Sequence, residues 1–385
     1  MQVQINRNVL AWIFRQCRNM VISEKNMTLL QKWMDEKKIP TFNQVEAVSK
    51  ATGIPFGYFF LKEPPLEDMP ILEYRTVDSI EAETPSRNLM DTVHDMELVQ
   101  DWVVEDLLKK GMDPLPYVGA LNEDSDIYDF AKYCRKILAI DMDWFHQNKN
   151  TNESFKYIRN AISNAGITVM LSGIVGNNTR RTLSINEFRA FALVDRLAPL
   201  IFINNHDSES GKLFSLLHEF NHILLGKSSF YNDYYGTQSK VNKTETLCNA
   251  VAAEVLVPYE LFLREWEKKT SLKEGDKIVT LARAFRCGTV VIARRALDAG
   301  LITQKTYKET VNTAITIFEK QNKSGKNSGG DYYKTLASKI DSHFLTNLLN
   351  SVKSGQTLYS DAFRLTNTNQ STFDKLIAIT GGDLI

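Results

Sequence analysis

Cysteine is scarce in this 385-residue chain. The four present, Cys17, Cys134, Cys248 and Cys287, stand far apart and form no C-x-x-C pair. Closely spaced thiols mark disulfide scaffolds and thiolate zinc sites, so neither is expected, and a reduced intracellular setting is. Excess charge is missing too: 46 Lys and Arg balance 46 Asp and Glu. No overall bias points to nucleic acid or a membrane surface, so any DNA contact must come from a local patch. No apolar run is long enough to span a bilayer, and Met1-Gln2-Val3-Gln4-Ile5-Asn6-Arg7 has no signal-peptide pattern. A cytoplasmic protein without membrane association is the expectation. Histidine is rare as well, six in the whole chain, yet two of the six lie four residues apart.

Those two frame the pattern His218-Glu219-Phe220-Asn221-His222, set inside the apolar run Leu213-Phe214-Ser215-Leu216-Leu217 and Ile223-Leu224-Leu225. A chain this long shows H-E-x-x-H by accident in roughly one case in a hundred. On an α-helix, residues four apart share a face, so two imidazoles so placed can bind one tetrahedral Zn²⁺. Glu219 is then the candidate general base toward the attacking water. The alternative is a partly buried helix with two hydrogen-bonded histidines.

Two histidines do not complete a catalytic zinc site, which needs a third protein ligand and an open position. After His222 the only histidine is His343, beyond a Gly/Ser/Asn/Lys-rich stretch, so a carboxylate is expected. Glu245 and Glu254 both lie on the helix read over 242–257, which Pro258 ends. Nine residues apart, they sit about 180° apart around that helix, so only one can face the metal. Glu245 shares its face with Asn249 and Ala252 and is the choice. It also fits a capping box with Asn242. Glu254 is expected to be solvated or paired with a surface cation. Cys248 reads as packing and Asn249 as a partner that orients a ligand.

The expected fold class is α+β and mostly helical: a small β-sheet packed on the H-E-x-x-H helix, flanked by helix-turn-helix-like domains. Residues 1–75 read as short helices, Val9 to Ile13, Thr28 to Trp33 and Phe42 to Thr52, the last stopped at Gly53. Nine Lys and Arg against five Asp and Glu over residues 1–65 make this unit mildly basic. Residues 76–262 form the metallopeptidase domain with a helical lead-in, Leu89 to Gly111 and Ile127 to Ile140. Strands are read at 166–171, 190–194 and 199–204. The strand 199–204, or its neighbour, is the candidate to hold an extended peptide. Asp207, Ser208 or Ser210 is read as the cap of the motif helix, and Gly226 as its stop. A second helix-turn-helix-like stretch, 263–320, carries Arg283, Arg286, Arg294 and Arg295; a structural helical pair is favoured over DNA reading. Residues 321–330 read as a linker and 331–385 as a helical module. For an oxyanion stabiliser, Tyr231, Tyr234, Tyr235, His206 and Arg189 all remain candidates.

Phe214 to Gly226, followed by Glu245-Thr246-Leu247-Cys248-Asn249-Ala250-Val251-Ala252-Ala253-Glu254-Val255-Leu256-Val257-Pro258, resembles the ImmA/IrrE zinc metallo-endopeptidases. Their second block runs roughly E-x-x-A-N-x-F-A-A-x-L-L-M-P, so Cys248 stands for the alanine and Val251 for the phenylalanine. The resemblance implies His218, His222 and Glu245 as zinc ligands and Glu219 as catalytic base. Ile39-Pro40-Thr41, Gly57 to Leu61, Pro64-Pro65 and Leu72 to Val77 are similar to the degenerate XRE-type helix-turn-helix of larger members. Gly329 to Thr335, Tyr359 to Leu365 and Ser371 to Phe373 resemble the C-terminal module of toxin-antitoxin-associated members encoded beside a PIN-like nuclease toxin. The implied function is endopeptidase cleavage of a regulatory protein, a repressor or partner. The competing expectation is an antitoxin or transcriptional regulator that binds DNA and the nuclease, with little or no peptidase activity.

Overall fold

Apolar spacing of three and four residues places short helices at the start of the chain: α1 (Arg7–Cys17), α2 (Glu24–Met34) and α3 (Phe42–Thr52). Val9, Leu10, Ile13, Leu30, Trp33, Val45, Val48 and Phe59 close a core of their own. Gly53 ends α3 with φ 72°, a left-handed conformation that a side chain would strain. The computed structural model describes residues 1–17, 22–65, 85–231, 243–323 and 331–379. Leu72 to Val77, the 75/76 boundary, Tyr234, Tyr235, Asn242 and Gly329-Gly330 lie outside these residues.

The chain continues through α4 (Arg87–Lys109), α5 (Ile127–Leu138), α6 (Thr151–Asn164), β1 (Thr168–Ser172), β2 (Ala190–Leu193), β3 (Leu200–Asn204), α7 (Glu209–Leu225), β4 (Ser229–Tyr231) and α8 (Lys243–Leu256). Then come α9 (Tyr259–Glu267), α10 (Glu274–Ala284), α11 (Thr289–Asp298), α12 (Gln304–Lys323), α13 (Tyr332–Lys339), α14 (Ser342–Lys353), α15 (Tyr359–Leu365) and α16 (Gln370–Ile379). The architecture is α+β and mostly helical. Helix α12 runs through Lys323, three residues into the expected linker; residues 324–330 of that linker lie outside the described set.

The sheet has the order β1-β3-β2-β4, with β1 and β3 parallel and the other pairs antiparallel. Side chains alternate across it with period two. Val169, Leu171, Ala190, Ala192, Ile201 and Ile203 face the core built with α5 to α8. Met170, Phe191, Leu193, Leu200 and Phe202 face a second core, built with α4 and with α13 to α16. Burial on both faces explains why β2 is apolar throughout and β3 at every position but its last, Asn204, instead of alternating. The segment expected as a separate module after the linker thus covers one face of the sheet.

It also closes an edge. Val169 N, which points away from β3, donates to Asp341 Oδ2 at 3.2 Å, and Val169 O accepts from Arg159 Nη2 at 3.0 Å. At Val169 the edge therefore has no main-chain group left for another strand. The expectation for 199–204 needs correction: β3 lies between β1 and β2, with no free side. The other outer strand is β4, which the sequence reading passed over.

Helix α7 carries the motif. Of the three cap candidates, Ser208 is the cap, its Oγ accepting Gly211 N at 3.1 Å. Gly226, at φ 69°, ends the helix. A Cβ there would also come within 3.0 Å of Gly119 Cα, so this glycine permits both the stop and a close chain crossing. Among the described residues no single helix is long and apolar enough to cross a membrane.

Candidate metal centre

The four-residue spacing on α7 puts His218 and His222 on one face, one turn apart, with Nε2 atoms 3.1 Å from each other. Helix α8 packs alongside and brings Glu245 to them. Glu245 Oε2 lies 3.1 Å from His218 Nε2, and Oε1 lies 3.2 Å from His222 Nε2. His218 is fully buried, His222 nearly so, and the Glu245 side chain is 19% exposed. Among the described residues the site therefore opens to solvent on the Glu245 side.

Asn249, one turn beyond Glu245, fixes the protonation of His218. Its Oδ1 lies 2.9 Å from His218 Nδ1 and can only accept, so Nδ1 carries the proton. Nε2 then turns a lone pair toward His222 and Glu245, as a metal ligand must. A tetrahedral ion held at about 2.0–2.1 Å needs ligand atoms about 3.3 Å apart. Separations of 3.1, 3.1 and 3.2 Å come close to that before any ion draws the side chains into place. The donor set, two imidazole nitrogens and a carboxylate, suits Zn²⁺. Burial alone would raise the Glu245 carboxyl. The two imidazoles beside it outweigh that effect and hold the group well below the usual carboxylate range.

Glu219 is wholly buried beside this cluster. Burial pushes its carboxyl up to about 7, against the pull of His222 and of a hydrogen bond from Ser229. Ser229 Oγ donates to Glu219 Oε2, whereas Oε1 has no hydrogen-bond partner among the described residues. The sequence reading missed Ser229: its approach depends on the pairing of β4 with β2, and a three-residue strand leaves little pattern. It missed Asn221 as well. Between the two histidines, Asn221 donates to Cys248 O at 3.0 Å and accepts from Cys134 Sγ at 3.3 Å, tying α7 to α8 and α5.

Glu254 lies elsewhere, as the 180° separation requires, but its expected setting needs correction. It is 4% exposed and pairs with Arg295 at 2.5 Å. Arg135, Trp144 and Arg295 donate to the carbonyls of Glu254, Val255 and Val257, which closes the C-terminal end of α8. Cys248 is buried and its thiol is pushed up by burial; it does not join the three clustered ligand atoms. Arg189 is held in a buried pair with Asp207 at 2.5 Å. His206 lines a cavity of about 590 Å³ at the N-terminal end of α7, which none of the cluster residues touches. The side chain of Tyr231 lies outside the described set. In the 263–320 stretch, Arg286 donates to Asn148 O and Arg283 O, Arg294 pairs with Asp298, and Arg295 with Glu254.

A mixed sheet against a helix bearing H-E-x-x-H, with a carboxylate supplied by the next helix, defines a metallopeptidase-like centre. Residues 163–297 match the family model of the IrrE N-terminal-like domain, a peptidase family. Residues 340–378 match a domain of unknown function, DUF8813. No curated protein matches the chain. The family match supports a metallopeptidase; it spans β1 to α11, all of the cluster included.

Proposed function

We propose that the chain is a zinc-dependent endopeptidase that cuts a regulatory protein, a repressor or partner, within an extended segment. The observation that carries this reading is the convergence of His218, His222 and Glu245 beside a buried carboxylate, Glu219, with one unengaged oxygen.

His218, His222 and Glu245 would hold the zinc, which when bound polarises the scissile carbonyl and activates water. Asn249 keeps His218 in the ligating tautomer. Glu219 takes the water proton at its free oxygen and passes it to the leaving amine. Buried walls exclude bulk water from three residues of the site, His218, Glu219 and His222, which strengthens every charge interaction there. Edge availability favours β4 for the substrate: Asp341 and Arg159 block the β1 edge at Val169, and Ser229 ties β4 directly to Glu219. An extended peptide laid on β4 by main-chain pairing would present its backbone to the metal centre. The regulatory nature of the substrate is supported by the resemblance to the ImmA/IrrE peptidases.

The test is incubation of the zinc-loaded chain with a proteome-derived peptide library, read by mass spectrometry of new N-termini. Cleavage by the wild type, lost in Glu219→Gln and on chelation, supports the reading. No cleavage, or equal cleavage by Glu219→Gln, overturns it.

A further inference from the structure

We infer that Ser229 is a positioning residue for the catalytic carboxylate: it holds Glu219 Oε2 and thereby assigns Oε1 as the atom that accepts the proton. The inference rests on the endopeptidase reading and deepens it.

Glu219 has no exposure to solvent, so neither oxygen can turn to bulk water for a partner. Oε2 accepts the hydroxyl proton of Ser229, and Oε1 has no partner among the described residues. A buried polar atom left unsatisfied costs about 1–3 kcal/mol, and native folds keep few of them. His222 Nδ1 shares this condition in the cluster, but Oε1 belongs to the candidate base and is the carboxylate oxygen left open to a proton. The serine hydroxyl has a single proton to give. Spent on Oε2, it keeps that oxygen as an acceptor and leaves Oε1 as the place where a proton from water can settle.

The backbone that carries this hydroxyl is held in place. Ser229 is 4% exposed and sits in β4 opposite Ala192. Its neighbour Ser228 accepts Val194 N at 3.0 Å, which fastens the start of β4 to the end of β2. The same strand that offers an edge to the substrate therefore orients the base, so substrate and base share one frame of reference.

The experiment uses the full zinc-loaded chain and the peptide from the library that the wild type cuts fastest. Ser229→Ala should lower kcat roughly 10–100-fold, the usual cost of losing a partner that orients an active-site group, with KM within about twofold. Zinc content should be unchanged. Ser229→Thr, which keeps the hydroxyl, should recover most of kcat. Unchanged kcat in Ser229→Ala, or a loss shared by KM and zinc content, overturns the inference. Crystal structures supply a readout free of activity: the Glu219 carboxyl should rotate away from its wild-type orientation in Ser229→Ala. An unmoved carboxyl overturns the inference. If the wild type cuts no peptide, the endopeptidase reading fails by itself and the crystal structures still decide what Ser229 does.

Discussion

Two glutamates in contact with the same pair of helices are driven in opposite directions. Glu245 meets two imidazoles and is held ionised; Glu219 meets one serine hydroxyl and much apolar wall, and burial raises it to about 7. The raised value has a consequence for stability. In the metal-free chain the folded Glu219 keeps its proton up to about pH 7, while the unfolded one loses it near 4.5. The folded state therefore binds the extra proton between those values and loses stability as pH rises through that window. By pH 8 the cost is about 3 kcal/mol. Glu219→Gln should remove this decline: in chelator, its melting temperature should exceed the wild type's at pH 8 and approach it at pH 5. A constant difference across that range would contradict the assignment. Asn249 gives a second expectation at this scale. Asn249→Ala frees His218 to rotate and change tautomer, so zinc affinity should fall roughly 10–100-fold with the fold intact. Competition with a chromogenic chelator measures this; an unchanged affinity would remove Asn249 from the account.

At the scale of elements, each helix of the site is closed at the end where chain geometry demands it. Ser208 opens α7, Gly226 ends it, and Arg135, Trp144 and Arg295 satisfy the last carbonyls of α8. Much of this was legible in the sequence. The four-residue histidine spacing and the nine-residue separation of Glu245 from Glu254 are helical geometry and need no tertiary knowledge. The partners of β4 and the surroundings of Glu254 depend on which distant segments meet, and local pattern carries none of that. The continuous apolar runs of β2 and β3 fit a sheet covered on both faces, but the sequence reading placed only the motif helix against it and set residues 331–385 apart as a module. Asp341 joins the covering segment to the sheet by accepting from Ser163 Oγ, Val169 N, His343 N and Phe344 N. Asp341→Ala should lower stability by about 2–4 kcal/mol in urea unfolding, from a lost helix cap and lost buried bonds. It should also bare the β1 edge and increase self-association in sedimentation. A variant as stable and as monodisperse as the wild type would mean that Asp341 does not secure this edge.

At the scale of the molecule, three hydrophobic cores among the described residues divide the work. One supports the metal cluster, one lies on the opposite face of the sheet, and one belongs to the first three helices. The second core contains Phe188, Phe191 and Phe202, all at most 2% exposed, together with Phe344, Leu348 and Phe373 from the last segment. A chain stopped at residue 330 would keep α4 on that face of the sheet but uncover the part packed by α13 to α16, leaving contiguous apolar surface exposed. It should be insoluble or bind a hydrophobic dye, although every residue of the metal cluster remains. A chain lacking residues 1–65 loses the core of the first helices and the contacts of Arg87 with Tyr58 and of Arg181 with Gly53, none at the metal cluster, and should stay folded with its zinc affinity unchanged. Reversal of these two outcomes would show that the cores are coupled differently.

The most direct measurement is anomalous diffraction at the zinc edge from crystals of the full chain grown with equimolar Zn²⁺. One peak within bonding distance of His218 Nε2, His222 Nε2 and a Glu245 carboxylate oxygen is the expected result. No peak there, or a single peak at other residues, contradicts the metal centre and the function built on it.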